Sequence, residues 1–198
     1  VGSQLRNVTA DDYLVRALSM PSNLGIISKA YIAKPEVAGS TSTLDLYVLS
    51  FNRQKLLNLA SNTLKNNLKT YLNQYRMIGD SITIKDAYII NIGVNFEIIT
   101  LPNYNNTQVL ENCILALKDF FDIDNWQINQ PIVLSDISYK ISLVDGVQSV
   151  VPPEDDNPSK QMVVIENRYR TSSGYSGNVY DINSATKDGI VYPSLDPC

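Results

Sequence analysis

The stretch Ile90-Asn91-Ile92-Gly93-Val94-Asn95-Phe96-Glu97-Ile98 alternates between large apolar residues and residues that are polar or glycine. At a period of two, Ile90, Ile92, Val94, Phe96 and Ile98 share one face, and Asn91, Gly93, Asn95 and Glu97 share the other. This pattern predicts a half-buried strand of an antiparallel sheet, with one face on a core and one facing water. The rest of the chain is read outward from it.

Upstream, Ile82-Thr83-Ile84 predicts a short strand, and Gly79 before it suits a left-handed helix cap. Residues 56–75 have helical spacing. Leu57, Leu64, Leu68, Tyr71, Leu72 and Tyr75 form the apolar stripe, and Asn62, Lys65, Asn66, Lys69 and Asn73 the wet side. Residues 26–33 and 44–48 alternate as strands and are joined by a loop containing Gly39, which predicts an antiparallel pair. In the first of these, Ile26, Ala30 and Ile32 are expected on one face, and Ile27, Lys29, Tyr31 and Ala33 on the other. Thr9, followed by Asp12, opens a short helix that Pro21 ends.

Downstream, Leu101-Pro102-Asn103 breaks the strand. Asn106 or Thr107 caps a second helix with Leu110, Cys113, Ile114, Leu117 and Phe121 on one side. Asn129-Gln130-Pro131 introduces a third helix, faced by Leu134, Ile137, Ile141 and Val144 and stopped by Gly146. Residues 147–151 predict a closing strand. The order predicts an α+β fold: an antiparallel or mixed sheet with helices packed on one face, as a sandwich over residues 1–151. Residues 152–161 read as an acidic, proline-containing linker. Residues 162–198 read as a β-rich C-terminal extension, with strand-like runs at 162–165, 179–182 and 189–192. The last two are expected to pair as a hairpin.

The chain has 198 residues, 44% hydrophobic and 18% charged, which is the composition of a folded domain. A net charge of -4, with Lys and Arg scattered, works against general binding of phosphate backbones. Histidine is absent, which removes the commonest general base and metal ligand. The two cysteines, Cys113 and Cys198, do not make a disulfide framework. No signal peptide and no apolar run long enough for a membrane-spanning helix are present, so no membrane partner is expected. A Val at position 1 and a Cys at position 198 predict that the chain is a fragment of a longer one.

Candidate sites are few. Asp11 and Asp12 fit the acid preference of a helix N-terminus. Glu154, Asp155 and Asp156 lack the spacing of a calcium loop, and in Asp122-Ile123-Asp124-Asn125 the loop glycine is replaced by Trp126. Cys113 has no histidine to activate it and lies on an apolar helix face, so it reads as a core residue. Asn7-Val8-Thr9 and Asn105-Asn106-Thr107 match glycosylation sequons but sit at helix starts, where they serve as caps. There is no Walker loop, dinucleotide fingerprint or zinc spacing. No catalytic, metal or cofactor site is expected. The C-terminal extension is rich in tyrosine, whose apolar body and polar tip suit interfaces. Tyr169, Tyr175, Tyr180, Ile190 and Tyr192 are therefore interface candidates, with packing on their own domain as the other use.

Four motifs in order carry a resemblance. They are Val8-Thr9-Ala10-Asp11-Asp12-Tyr13 before the strand at Ile26, and Tyr75-Arg76-Met77-Ile78-Gly79-Asp80 before Ile82-Thr83-Ile84. The third is Leu134-Ser135-Asp136-Ile137 with Asp145-Gly146-Val147, and the fourth is Tyr180-Asp181-Ile182 through Val191-Tyr192-Pro193-Ser194-Leu195-Asp196-Pro197. Together they resemble the baseplate J-like family, in particular the baseplate wedge proteins of T4-like contractile-tailed phages, over most of residues 8–198. The resemblance implies a structural protein, not an enzyme, with no cofactor. It implies self-association as a dimer or ring around the hub, contacts with other wedge proteins, and a place in the virion tail after assembly in the host cytoplasm. Two other readings are an α+β nucleic-acid-binding module, which needs aromatics on an open sheet face, and a carboxylate-based hydrolase, which needs two converging acids.

Overall fold

The computed structural model describes residues 10–33, 42–76, 80–157, 159–167, 175–176, 178–181 and 190–195. The chain is α+β and divides into two compact units, Val1–Tyr88 and Ile89–Cys198.

The first unit begins with helix α1, Ala10–Leu18. Strands β1, Ile27–Ala33, and β2, Ser42–Phe51, follow and pair antiparallel, as the spacing predicts. A register shift between Ile27 and Lys29 marks a bulge. That extra residue brings Ile27 into the core along with Ala30, while Ile26 is left exposed, so strict alternation misassigns Ile26 and Ile27. The predicted helix at 56–75 is shorter: strand β3, Leu57–Asn58, pairs with the end of β2, and helix α2 spans Asn62–Asn73. The boundary is set by Ser61, whose side chain accepts a hydrogen bond from Leu64 N at 3.1 Å. Strand β4, Asp80–Asp86, then runs parallel to β2, which makes the sheet mixed. The core lies on one sheet face. Leu44, Leu46 and Val48 of β2 meet Leu64, Leu68 and Leu72 of α2 and Tyr13 and Ala17 of α1. Arg16 of α1 stacks its guanidinium over Tyr75, 3.7 Å from the ring centroid. Gly79 lies outside the described residues.

The second unit divides the long predicted strand in two. Strand β5 is Tyr88–Asn95 and strand β6 is Glu97–Thr100, with the break at Phe96. The two halves join different sheets. β6 pairs antiparallel with β8, Val147–Val151, and β5 lies between β9, Val164–Asn167, and β12, Val191–Leu195. Helix α3, Asn106–Phe120, is capped one residue earlier than predicted: Asn105 Oδ1 accepts from Thr107 N and Gln108 N. Helix α4, Leu134–Ser142, follows the two-residue strand β7, Ile132–Val133. It buries Leu134, Ile137 and Ile141, as predicted. Gly146 follows at φ 93°, and a Cβ there would lie 2.5 Å from Tyr104 Cδ1, so both backbone and space call for glycine.

Residues 152–157 are shaped by Asn157. Its side chain donates to Pro153 O and Gln161 O and accepts from Gln161 N at 2.7 Å. The predicted hairpin of 179–182 with 189–192 does not form among the described residues. Instead β11, Val179–Tyr180, pairs with β10, Tyr175–Ser176, and with β7, while β12 joins β5. Of these short strands, β11 and β12 find partners laid down much earlier in the chain.

Candidate interface

In the second unit α3 packs on α4, and α4 packs on β8. Lys140 Nζ of α4 bridges Asp119 Oδ2, near the C-terminus of α3, at 2.7 Å. Gly146, just beyond α4, lies under Tyr104 and Val109 at the start of α3. The two helices therefore run antiparallel. Val109, Cys113 and Leu117 form the buried stripe of α3. Leu110 and Ile114, predicted on that stripe, are 44% and 41% exposed. Leu115 on α3 is 60% exposed, and Tyr139 on α4 and Leu143 just past its end are 66% and 64% exposed. The outward side of this helix pair thus carries large apolar side chains in water. Single exposed apolar residues are ordinary, but several on one helix pair make a candidate contact surface.

The end of α3 is stiffened by aromatic packing. Trp126 stacks on Phe121 with ring centroids 5.0 Å apart, and its Nε1 donates to Phe120 O at 2.7 Å. A shallow open cleft of about 290 Å3 lies beside it, lined by Asp119, Phe120, Trp126, Pro131, Asp136 and Lys140 among others. Asp119 is the ion-pair partner of Lys140 there. No group of three or more His, Cys, Asp or Glu among the described residues is placed to hold a metal. Cys113 is buried, and burial pushes its thiol pKa up, which disfavours the reactive thiolate.

Of the tail residues predicted for an interface, Tyr169 lies outside the described residues, and Tyr175 is described only as backbone of β10. Ile190 is half-buried. Tyr180 and Tyr192 are buried within the second unit, so their rings pack internally. Burial raises the pKa of Tyr180, while a hydrogen bond with Asn167 opposes the shift. Burial, followed by the charges of Asp122 and Asp124, pushes Tyr192 up to about 12. The arm is also clasped at the start of α4. Leu134 N donates to Asn178 O at 2.8 Å, Ser135 N donates to Asn178 Oδ1 at 2.9 Å, and Asn178 Nδ2 donates to Ser135 Oγ at 2.6 Å. Asn178 caps a helix that lacks a side-chain cap of its own.

The exposed α3 and α4 surface was not found from sequence, because a leucine at helical spacing reads as core. A signal was present: Val109, Cys113 and Leu117 already complete one stripe, which leaves Leu110, Ile114 and Leu115 outside it.

The architecture is that of an α+β protein with an apolar outward helix face. No protein-family model matches the chain, and no curated protein matches it. A chain in the six-fold-symmetrised cryo-EM structure of the anti-feeding prophage (AFP) baseplate is similar in fold, with a TM-score of 0.57 and 12% sequence identity. The match covers 98% of this chain and 38% of that one, so this chain spans well under half the length of its neighbour.

Proposed function

We propose that this chain is a non-enzymatic structural component of the baseplate of a contractile tail. We further infer that it is a wedge-type member of the J-like family that self-associates to link wedges around the hub. The observation that carries the reading is the fold likeness to a baseplate chain along 98% of this sequence. The resemblance of the four sequence motifs to the baseplate J-like family supports the same reading. The exposed Leu115, Tyr139 and Leu143 supply surface for subunit contacts, and ring closure multiplies modest contacts into a stable assembly. In this reading the chain resides in the tail of the particle, after assembly in the host cytoplasm, with sister copies and other wedge proteins as partners. Tyr180 and Tyr192 hold the arm to its unit, and Ile190 keeps some surface to offer a neighbour.

Sedimentation velocity over a wide concentration range tests the reading. A shift from monomer to dimer or larger species with rising concentration is expected. A single monomeric boundary at the highest concentration overturns self-association.

A further inference from the structure

Helix α3 carries a self-complementary face. At about 100° per residue, Ile114, Lys118, Glu111 and Leu115 fall within an arc of roughly 100° on the side away from buried Cys113. All four are exposed. Neither Glu111 nor Lys118 makes an ion pair with a described residue. Their order along the helix is acid, apolar, apolar, base. Glu111 and Lys118 lie equally far from the midpoint between Ile114 and Leu115.

We propose that α3 packs antiparallel on α3 of a second copy of this chain, across a two-fold axis through the midpoint of Ile114 and Leu115. That axis sets Glu111 of each copy against Lys118 of the other, twice, and brings Leu115 of one against Ile114 of the other. A two-fold contact requires one patch to be its own complement, and this charge order meets the requirement for antiparallel helices but not for parallel ones. Parallel helices would set Glu111 on Glu111 and Lys118 on Lys118. The antiparallel arrangement also opposes the helix dipoles favourably. Leu143, just past the end of α4, is a further exposed apolar side chain on this helix pair. The proposal rests on the self-association reading above and specifies the surface that carries it.

The test is a charge-reversal cycle on the full chain, read by sedimentation equilibrium. E111K and K118E each turn two attractions into two repulsions and are expected to weaken dimerisation on the order of tenfold. The double variant E111K/K118E restores both pairs with the signs exchanged and is expected to return to near wild-type affinity. L115D is expected to abolish the dimer. All these side chains are exposed, so circular dichroism should be unchanged. If wild type dimerises and the variants dimerise equally well, the α3 contact is wrong while self-association stands. Weakening in the singles without recovery in the double overturns the two-fold geometry. A monomeric wild type overturns both readings.

Discussion

Tyr192 is buried with its hydroxyl unpaired among the described residues. A buried hydroxyl without a partner is a penalty, which its removal relieves. Tyr192→Phe is therefore expected to leave the melting temperature unchanged or raise it, as differential scanning calorimetry would show. The pH dependence has a definite sign. The folded-state pKa is pushed up to about 12, above an unfolded value of about 10. The contribution is thus fully present below about pH 10 and lost as pH rises through about 12, because the unfolded chain gives up the proton first. The phenylalanine variant should lose less stability than wild type over that window. An equal loss in the two proteins would show that the ring is solvated. Tyr180 and Tyr192 also mark the limit of sequence reading at this scale. A tyrosine in a tail of short strands has the same local signature whether its ring points outward or inward. The answer lay in β7 and β5, the partner strands that lie outside the tail.

Capping separates the legible elements from the rest. Asn105 and Ser61 stand beside the helices that they cap, and local spacing located the start of α3 within a residue or so. Asn178 caps α4 from a position 43 residues beyond Ser135, where no local rule points to it. Asn178→Ala keeps the backbone acceptor for Leu134 but removes both side-chain bonds, so a loss of about 1 kcal/mol is expected. Urea denaturation measures the loss, and hydrogen exchange should locate it in the first turn of α4. Unchanged protection there would mean that the clasp contributes nothing to the helix. Strands show the same division. The existence of β1, β2 and β8 was readable locally, though the bulge in β1 was not. The break at Phe96 was not, because the alternation runs through it and only the divergence of β5 and β6 into different sheets requires it. Residues 56–61 read as helix because Leu57 fits the apolar period. Pairing with Phe51 instead makes Leu57 part of a strand.

At the level of the molecule, the sequence suggested a body at 1–151 with an arm at 162–198, because the acidic run at 152–160 looks like a linker. By its contacts the chain forms the units Val1–Tyr88 and Ile89–Cys198, and the arm's strands lie in the second unit. The α+β class was legible, since it depends only on element types. The unit boundary depends on pairings between residues far apart in sequence, which leave no periodic trace. This organisation predicts what deletion of the arm would do. β5 lies between β9 and β12, so ending the chain at residue 161 strips both neighbours from it. The deletion also removes the buried Val163, Val164, Ile165 and Val191. At roughly 1.5 to 3 kcal/mol for each buried aliphatic side chain, the loss is about 6 kcal/mol even at the low end. That is comparable with the whole stability of a typical domain, about 5 to 15 kcal/mol. The truncated chain is therefore expected to retain protected amides in α1, α2 and β2 while β5 exchanges freely. An arm that served only to reach a neighbour would leave β5 as protected as in the full chain, and hydrogen exchange on the two forms distinguishes these outcomes.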